Sequence, residues 1–153
     1  MVRAIITGAT VALANNSATL ARANTDKLDN IAACAGVVLG NGAVDFLLGD
    51  EASFDAAAKF AYTAYLSEIL SGAHSQNNIE IADQILGGNL DKVTSAYNSD
   101  SFDNDVYEEV VSCYRQLGIQ ILEKIDVIML SGDEYQDLIN TSVQTLKRML
   151  KAG

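Results

Sequence analysis

Between Ile31 and Gly49 the chain runs almost without charge, interrupted only by Asn41 and Asp45, and it places Ala32, Gly36 and Gly40 at four-residue intervals. Residues four apart share one face of an α-helix. Three small side chains on such a face let a second backbone approach far closer than leucine or valine would allow. A helix built this way needs a close neighbour, because Gly36, Gly40 and Gly42 each weaken a water-exposed helix by up to about 1 kcal/mol relative to alanine. The same stretch is about long enough to cross a bilayer, for which roughly 17 to 25 residues are required. Asp45 and the lack of a basic flank on either side make packing against protein the favoured reading and insertion of residues 31–49 the runner-up. Gly40-Asn41-Gly42 is a place where this helix is expected to break.

A second strong pattern lies in the C-terminal third. Val106, Val110, Cys113, Leu117, Ile121, Ile125 and Ile128 recur at three- and four-residue steps from Asp103 to Leu130, while Glu108, Glu109, Arg115, Gln116, Glu123 and Lys124 fill much of the remaining circumference. That spacing lines one face of a helix and cannot alternate as a strand would. Ser131-Gly132-Asp133-Glu134 then turns the chain into another helix ending near Leu150, predicting a long antiparallel helical hairpin. Upstream, Gly49-Asp50-Glu51 reads as a stop and restart, and the helix from Ala52 to Leu70 carries Phe54, Ala58, Ala61, Tyr65 and Ile69 on one face. Residues 71–78 form a loop by composition. Asn78 is expected to cap a short helix that Gly87-Gly88 ends, with another from Leu90 to Tyr97.

Proline is absent from all 153 residues, as fits long helices joined by glycine-containing turns. The expectation is one all-α domain, a helical bundle, with residues 1–16 as an N-terminal arm. Twenty acidic against ten basic side chains give a net charge of -10, which would repel a phosphate backbone and argues against nucleic acid as a partner. Lys147, Arg148 and Lys151 fall in the last helical turns, where they favour the negative end of the helix dipole.

Signatures of chemistry are weak. His74 is the single histidine and has no acid or cysteine beside it in sequence, so neither a catalytic nor a metal role is expected. Cys34 and Cys113 match neither a metal knuckle nor a CxxC site, and buried free thiols are expected, a disulfide between them remaining geometrically open. The acidic run 98–109 fails the calcium-loop pattern, because Asp103 stands where the turn requires glycine, and acids heading a helix need only its dipole. At the N-terminus, residues 1–14 imitate a secretory signal, and Ala4-Ile5-Ile6-Thr7-Gly8-Ala9 imitates a dinucleotide-binding turn. The first is read as a retained arm, with no cleaved leader and a place in the cytoplasm or an assembled particle. The second lacks further glycines until Gly36 and any βαβ alternation.

Cys113-Tyr114-Arg115, followed by Met129-Leu130-Ser131-Gly132-Asp133, is weakly similar to the bilin-attachment region of phycobiliproteins. The resemblance implies a thioether-linked tetrapyrrole on Cys113, and it covers about a fifth of the chain. Gln116 stands where that family has aspartate, and the distance to Gly132-Asp133 is out of register.

No Ser-His-Asp set, phosphate loop or paired catalytic carboxylates occur, so the sequence favours a non-enzymatic structural protein without cofactor or metal that self-associates into an oligomer or filament. Ala32, Gly36, Gly40, Val110, Leu117 and Ile121 are the candidate helix-packing and assembly residues. A ligand-carrying protein using Cys113 is the remaining alternative.

Overall fold

The computed structural model describes the backbone of residues 16–153 and side chains from residue 25 onward. The signal-like and dinucleotide-like motifs of residues 1–14, and nearly all of the expected arm, lie outside the described residues. Five helices follow one another: α1 (Asn16–Leu47), α2 (Glu51–Ser71), α3 (Gln76–Asn98), α4 (Asn104–Glu123) and α5 (Ile125–Ala152). They form an all-α bundle with no strand among the described residues.

Direction reverses at each turn. Gly42 of α1 lies against Ala57 of α2, and Phe46 packs on Phe54 with ring centroids 5.3 Å apart, so α2 returns along α1. Asn78 donates to Thr25 at one end of α3 while Gly40 meets Val93 near the other, so α3 runs parallel to α1. Cys34 meets Cys113 and Lys27 meets Glu123, which sets α4 antiparallel to α1. On α5, Tyr135 reaches Thr63 and Lys147 reaches Glu51, so it descends along α2. The C-terminal pair is thus antiparallel as the pattern implies, yet each arm contacts α2 more than it contacts the other.

The ends of these helices follow from side-chain caps. Asp50 accepts from the Ser53 backbone N–H at 3.1 Å and from its hydroxyl at 2.7 Å. Asp103 accepts from the N–H groups of Asp105 and Val106, satisfying donors that a helix start leaves free. Ser75, and not Asn78, caps α3 by accepting from the Asn78 N–H. Gly49 takes φ of 95° to turn α1 into α2, a conformation that glycine adopts without strain.

Three expected boundaries differ. α1 passes through Gly40-Asn41-Gly42 unbroken, because both glycines face other helices and burial outweighs their poor helix propensity. α3 likewise continues through Gly87-Gly88, held by its packing on α1. Conversely, the helix from Asp103 stops at Glu123, seven residues early, with Lys124 (φ -106°, ψ 16°) separating α4 from α5. Gly132 then kinks α5 at φ 60°, ψ -143°. Ile125 to Ser131 is therefore a two-turn stub between two breaks.

Lys147 also departs from expectation. Instead of serving the helix dipole, it bonds Glu51 at 2.7 Å and Asp55 at 2.9 Å and lies 5.9 Å from the centroid of the Phe54 ring, fastening α5 to the start of α2. The hydrogen bond to Glu51, then that to Asp55, raises its pKa.

Candidate functional site

α1 presents its small residues to α3. A Cβ built on Gly36 would stand 2.2 Å from the Leu86 carbonyl oxygen and 2.9 Å from the Asn89 Cβ. One on Gly40 would stand 2.8 Å from the Val93 Cβ and 2.9 Å from the Leu90 carbonyl oxygen. Backbone rests on backbone here, and no side chain larger than hydrogen fits without displacing a neighbour. Ala32, fully buried, belongs to the same core. Val110, Leu117 and Ile121 of α4 pack into that core from the other side, Ile121 only partly buried. All six sequence-selected residues thus lie in helix packing inside the chain.

One helix among the described residues, residues 25–47 of α1, is long and apolar enough to cross a membrane. Two thirds of its apolar window is buried inside the bundle, as expected of a core helix.

Cys34 and Cys113 are not free thiols. They form a disulfide across α1 and α4, with Cα atoms 4.8 Å apart. Sequence spacing could not show this, because 79 residues separate the pair and only the fold brings them together. With its sulfur so bonded, Cys113 is not available to carry a thioether-linked tetrapyrrole.

A buried polar hub lies at the end of the bundle where α2 meets α3. Glu68, 4 % exposed, accepts from Gln120 Nε2 at 3.2 Å and faces His74 Nε2 at 3.0 Å, with Lys27 Nζ at 3.7 Å and Lys124 Nζ at 4.0 Å. Gln120 also donates to the Ser67 hydroxyl, which itself donates to the Ala64 carbonyl. The hub joins α1, α2, α4 and both adjoining turns through a single carboxylate. His74 reaches it because Gly72 has no side chain: a Cβ there would lie 2.3 Å from the imidazole Nε2. Asp29 nearby has its pKa raised, first by burial and then by Asp26, while His74 opposes the shift. Tyr65 donates to Asp83 at 2.5 Å, and burial, then that bond, raises its pKa; burial pushes Tyr62 up to about 12.

His74 has no acid beside it along the chain, and the fold supplies one six residues upstream by reversing direction at Gly72. The pair has the composition of an acid–base couple. With side chains only 1 % and 5 % exposed, it offers a substrate no approach and acts as a fastening within the fold.

The open surface lies just beyond this hub. Ile119 and Leu122 share one face of α4, and Ile125 and Met129 share one face of the stub, with Leu130 at its tip. Leu122, Met129 and Leu130 are 72 %, 73 % and 86 % exposed; Ile119 and Ile125 are about half exposed. These five side chains, within twelve consecutive residues, present on the order of 600 Å² to water, the upper end for the largest apolar patch on an ordinary monomer. The apolar stripe read along residues 103–130 did not include Ile119, Leu122, Met129 or Leu130; of its two members past the break at Lys124, Ile128 packs on the core and Ile125 is partly turned to water.

No protein-family model matches the chain, and no curated protein or solved structure is significantly similar to it.

Proposed function

We propose that this is a non-enzymatic helical protein that self-associates, with the apolar elbow of Ile119, Leu122, Ile125, Met129 and Leu130 as the contact between copies. The observation that carries this reading is the stub from Ile125 to Ser131, which packs Ile128 on the core but leaves Met129 and Leu130 largely exposed. Large exposed aliphatic side chains concentrated in one place mark interaction surfaces, whereas scattered ones need no explanation.

A second copy of the chain is the occupant that area and charge favour. The elbow offers somewhat less than the roughly 800 Å² per partner of a standard interface. Across residues 119–130 the charged side chains are Glu123, Lys124 and Asp126, so the patch is close to neutral on a chain whose net charge is -10. Two copies therefore meet there with the least mutual repulsion. Elbow against elbow about a two-fold axis gives a closed dimer. The Ala32, Gly36 and Gly40 face, occupied by α3, is left to the monomer's own fold.

Sedimentation velocity across micromolar concentrations tests the reading. The native chain should pass from monomer to dimer, more readily at higher salt as its acidic surface is screened. A Met129→Glu/Leu130→Glu variant should remain monomeric with unchanged helix content. A native chain that stays monomeric at the highest concentration and salt, or a variant that still dimerises, removes the elbow from this role.

A further inference from the structure

The attachment of α4 to α1 is unlike any other contact in the bundle. α1 and α3 are held by extended backbone contact, and α1 and α2 by a run of buried alanines and aromatics. α4 buries four side chains, Val110, Cys113, Leu117 and Gln120, and the second of these is itself one end of the disulfide. Its other polar ties to α1 are a hydrogen bond between Tyr114 and Asn41 and the exposed Lys27–Glu123 pair at 3.4 Å.

Each cysteine is only 5 % exposed, and the disulfide meets solvent along a surface groove. A groove of about 280 Å³ opens over it, lined by Asn30, Ala33, Val37, Glu109, Ser112 and Gln116 together with the two cysteines. Glu109 is the single charged residue in that lining, and Lys92 neutralises it from 3.0 Å. A thiolate entering the groove therefore meets small or uncharged side chains and no unopposed negative charge.

We infer that Cys34–Cys113 is a thiol–disulfide exchange site, opened in the folded protein by a dithiol reductant and controlling how firmly α4 is held to α1. One thiolate of the dithiol attacks a cysteine sulfur, forming a mixed disulfide and releasing the other cysteine as a thiolate that takes up a proton. The second thiol of the reductant then attacks the mixed disulfide and frees the remaining cysteine. The protein ends with two thiols and the reductant with a disulfide, so electrons and protons balance. With the bond open, α4 keeps its modest burial, the buried Gln120 hydrogen bonds to Glu68 and Ser67 and its surface ties, while α5 stays fastened to α2 through Tyr135–Thr63 and Lys147–Glu51. This device is independent of self-association at the elbow.

Hydrogen exchange on the full-length protein, with thiol alkylation read by mass, tests this directly. Under native conditions a graded excess of dithiothreitol should yield a doubly alkylated species. Amide exchange should then rise at least tenfold across residues 104–123 while residues 28–98 and 133–152 stay protected, and re-oxidation should restore the original pattern. A Cys34→Ser/Cys113→Ser variant should show the loosened pattern already and ignore the reductant. A bond that resists reduction until the whole fold melts, exchange that rises evenly along the chain or not at all, or a variant protected like the oxidised protein would each overturn the assignment. Should the variant not fold, the reduced native protein decides alone.

Discussion

The α1–α3 contact and the α4–α5 arm are two answers to the same problem of burying a helix face. In the first, glycine removes the side chain so that two backbones touch, and the surface is wholly used inside one molecule. In the second, the apolar stripe is conventional and rich in large residues, but two breaks at Lys124 and Gly132 divide it, so part reaches the core and part faces water. The comparison teaches that small-residue spacing marks where a chain closes upon itself. The interrupted stripe marks where apolar surface is left facing water.

The difference is sharpest at the disulfide. Removing it with Cys34→Ser/Cys113→Ser should cost about 4 kcal/mol, because it closes a loop of 79 residues in the unfolded chain. Denaturant unfolding should show the loss, and a cost below about 1 kcal/mol would mean that the arm is held by its packing alone. At the opposite region, Gly36→Ala gains up to about 1 kcal/mol of helix propensity but forces a methyl into the Leu86 carbonyl, an overpacking cost of about 1 to 3 kcal/mol. A net loss of about 1 to 2 kcal/mol is expected by thermal melting. Alanine at Gly87, where a Cβ would meet nothing, should instead stabilise.

A smaller effect concerns Asp29, whose Oδ1 is buried without a hydrogen-bond partner and whose pKa burial raises. A carboxyl with a raised folded-state pKa stays protonated in the fold after it ionises in the unfolded chain. Stability therefore falls as pH climbs from the ordinary value of 3.8 through the raised one, and the penalty is complete above it. Asp29→Asn should raise stability slightly at pH 7, by less than about 1 kcal/mol after allowance for solvent screening, seen as a small rise in melting temperature. At a pH below 3.8 the variant and native proteins should melt together. Smallest of all, Met129→Glu/Leu130→Glu should leave monomer stability within about 0.5 kcal/mol of native while abolishing association, as surface changes usually do.

Much of this fold could be read in the sequence, and what escaped did so for physical reasons. Local chemistry placed the restart at Gly49-Asp50 and the close-packing face of Gly36 and Gly40, since each depends on residues within one or two turns; the junction expected at Ser131-Gly132 falls at Lys124 instead, with Gly132 a kink within α5. The breaks expected at Gly40-Asn41-Gly42 and Gly87-Gly88 did not occur, because tertiary burial outweighs propensity by more than the glycine penalty. The Cys34–Cys113 bond and the His74–Glu68 contact were invisible because each needs a reversal of the chain that spacing does not record. The elbow was hidden because Ile119, Leu122, Met129 and Leu130 lie off the apolar stripe, and periodicity does not record which off-stripe side chains another helix covers.

The Cys34–Cys113 bond has one consequence that follows from topology alone. It makes residues 34 to 113 a covalent ring that encloses all of α2 and α3. A protease that cuts once in the short connection between those helices, near Ala73, would leave a molecule of nearly unchanged mass, held as one piece until a reductant separates the halves.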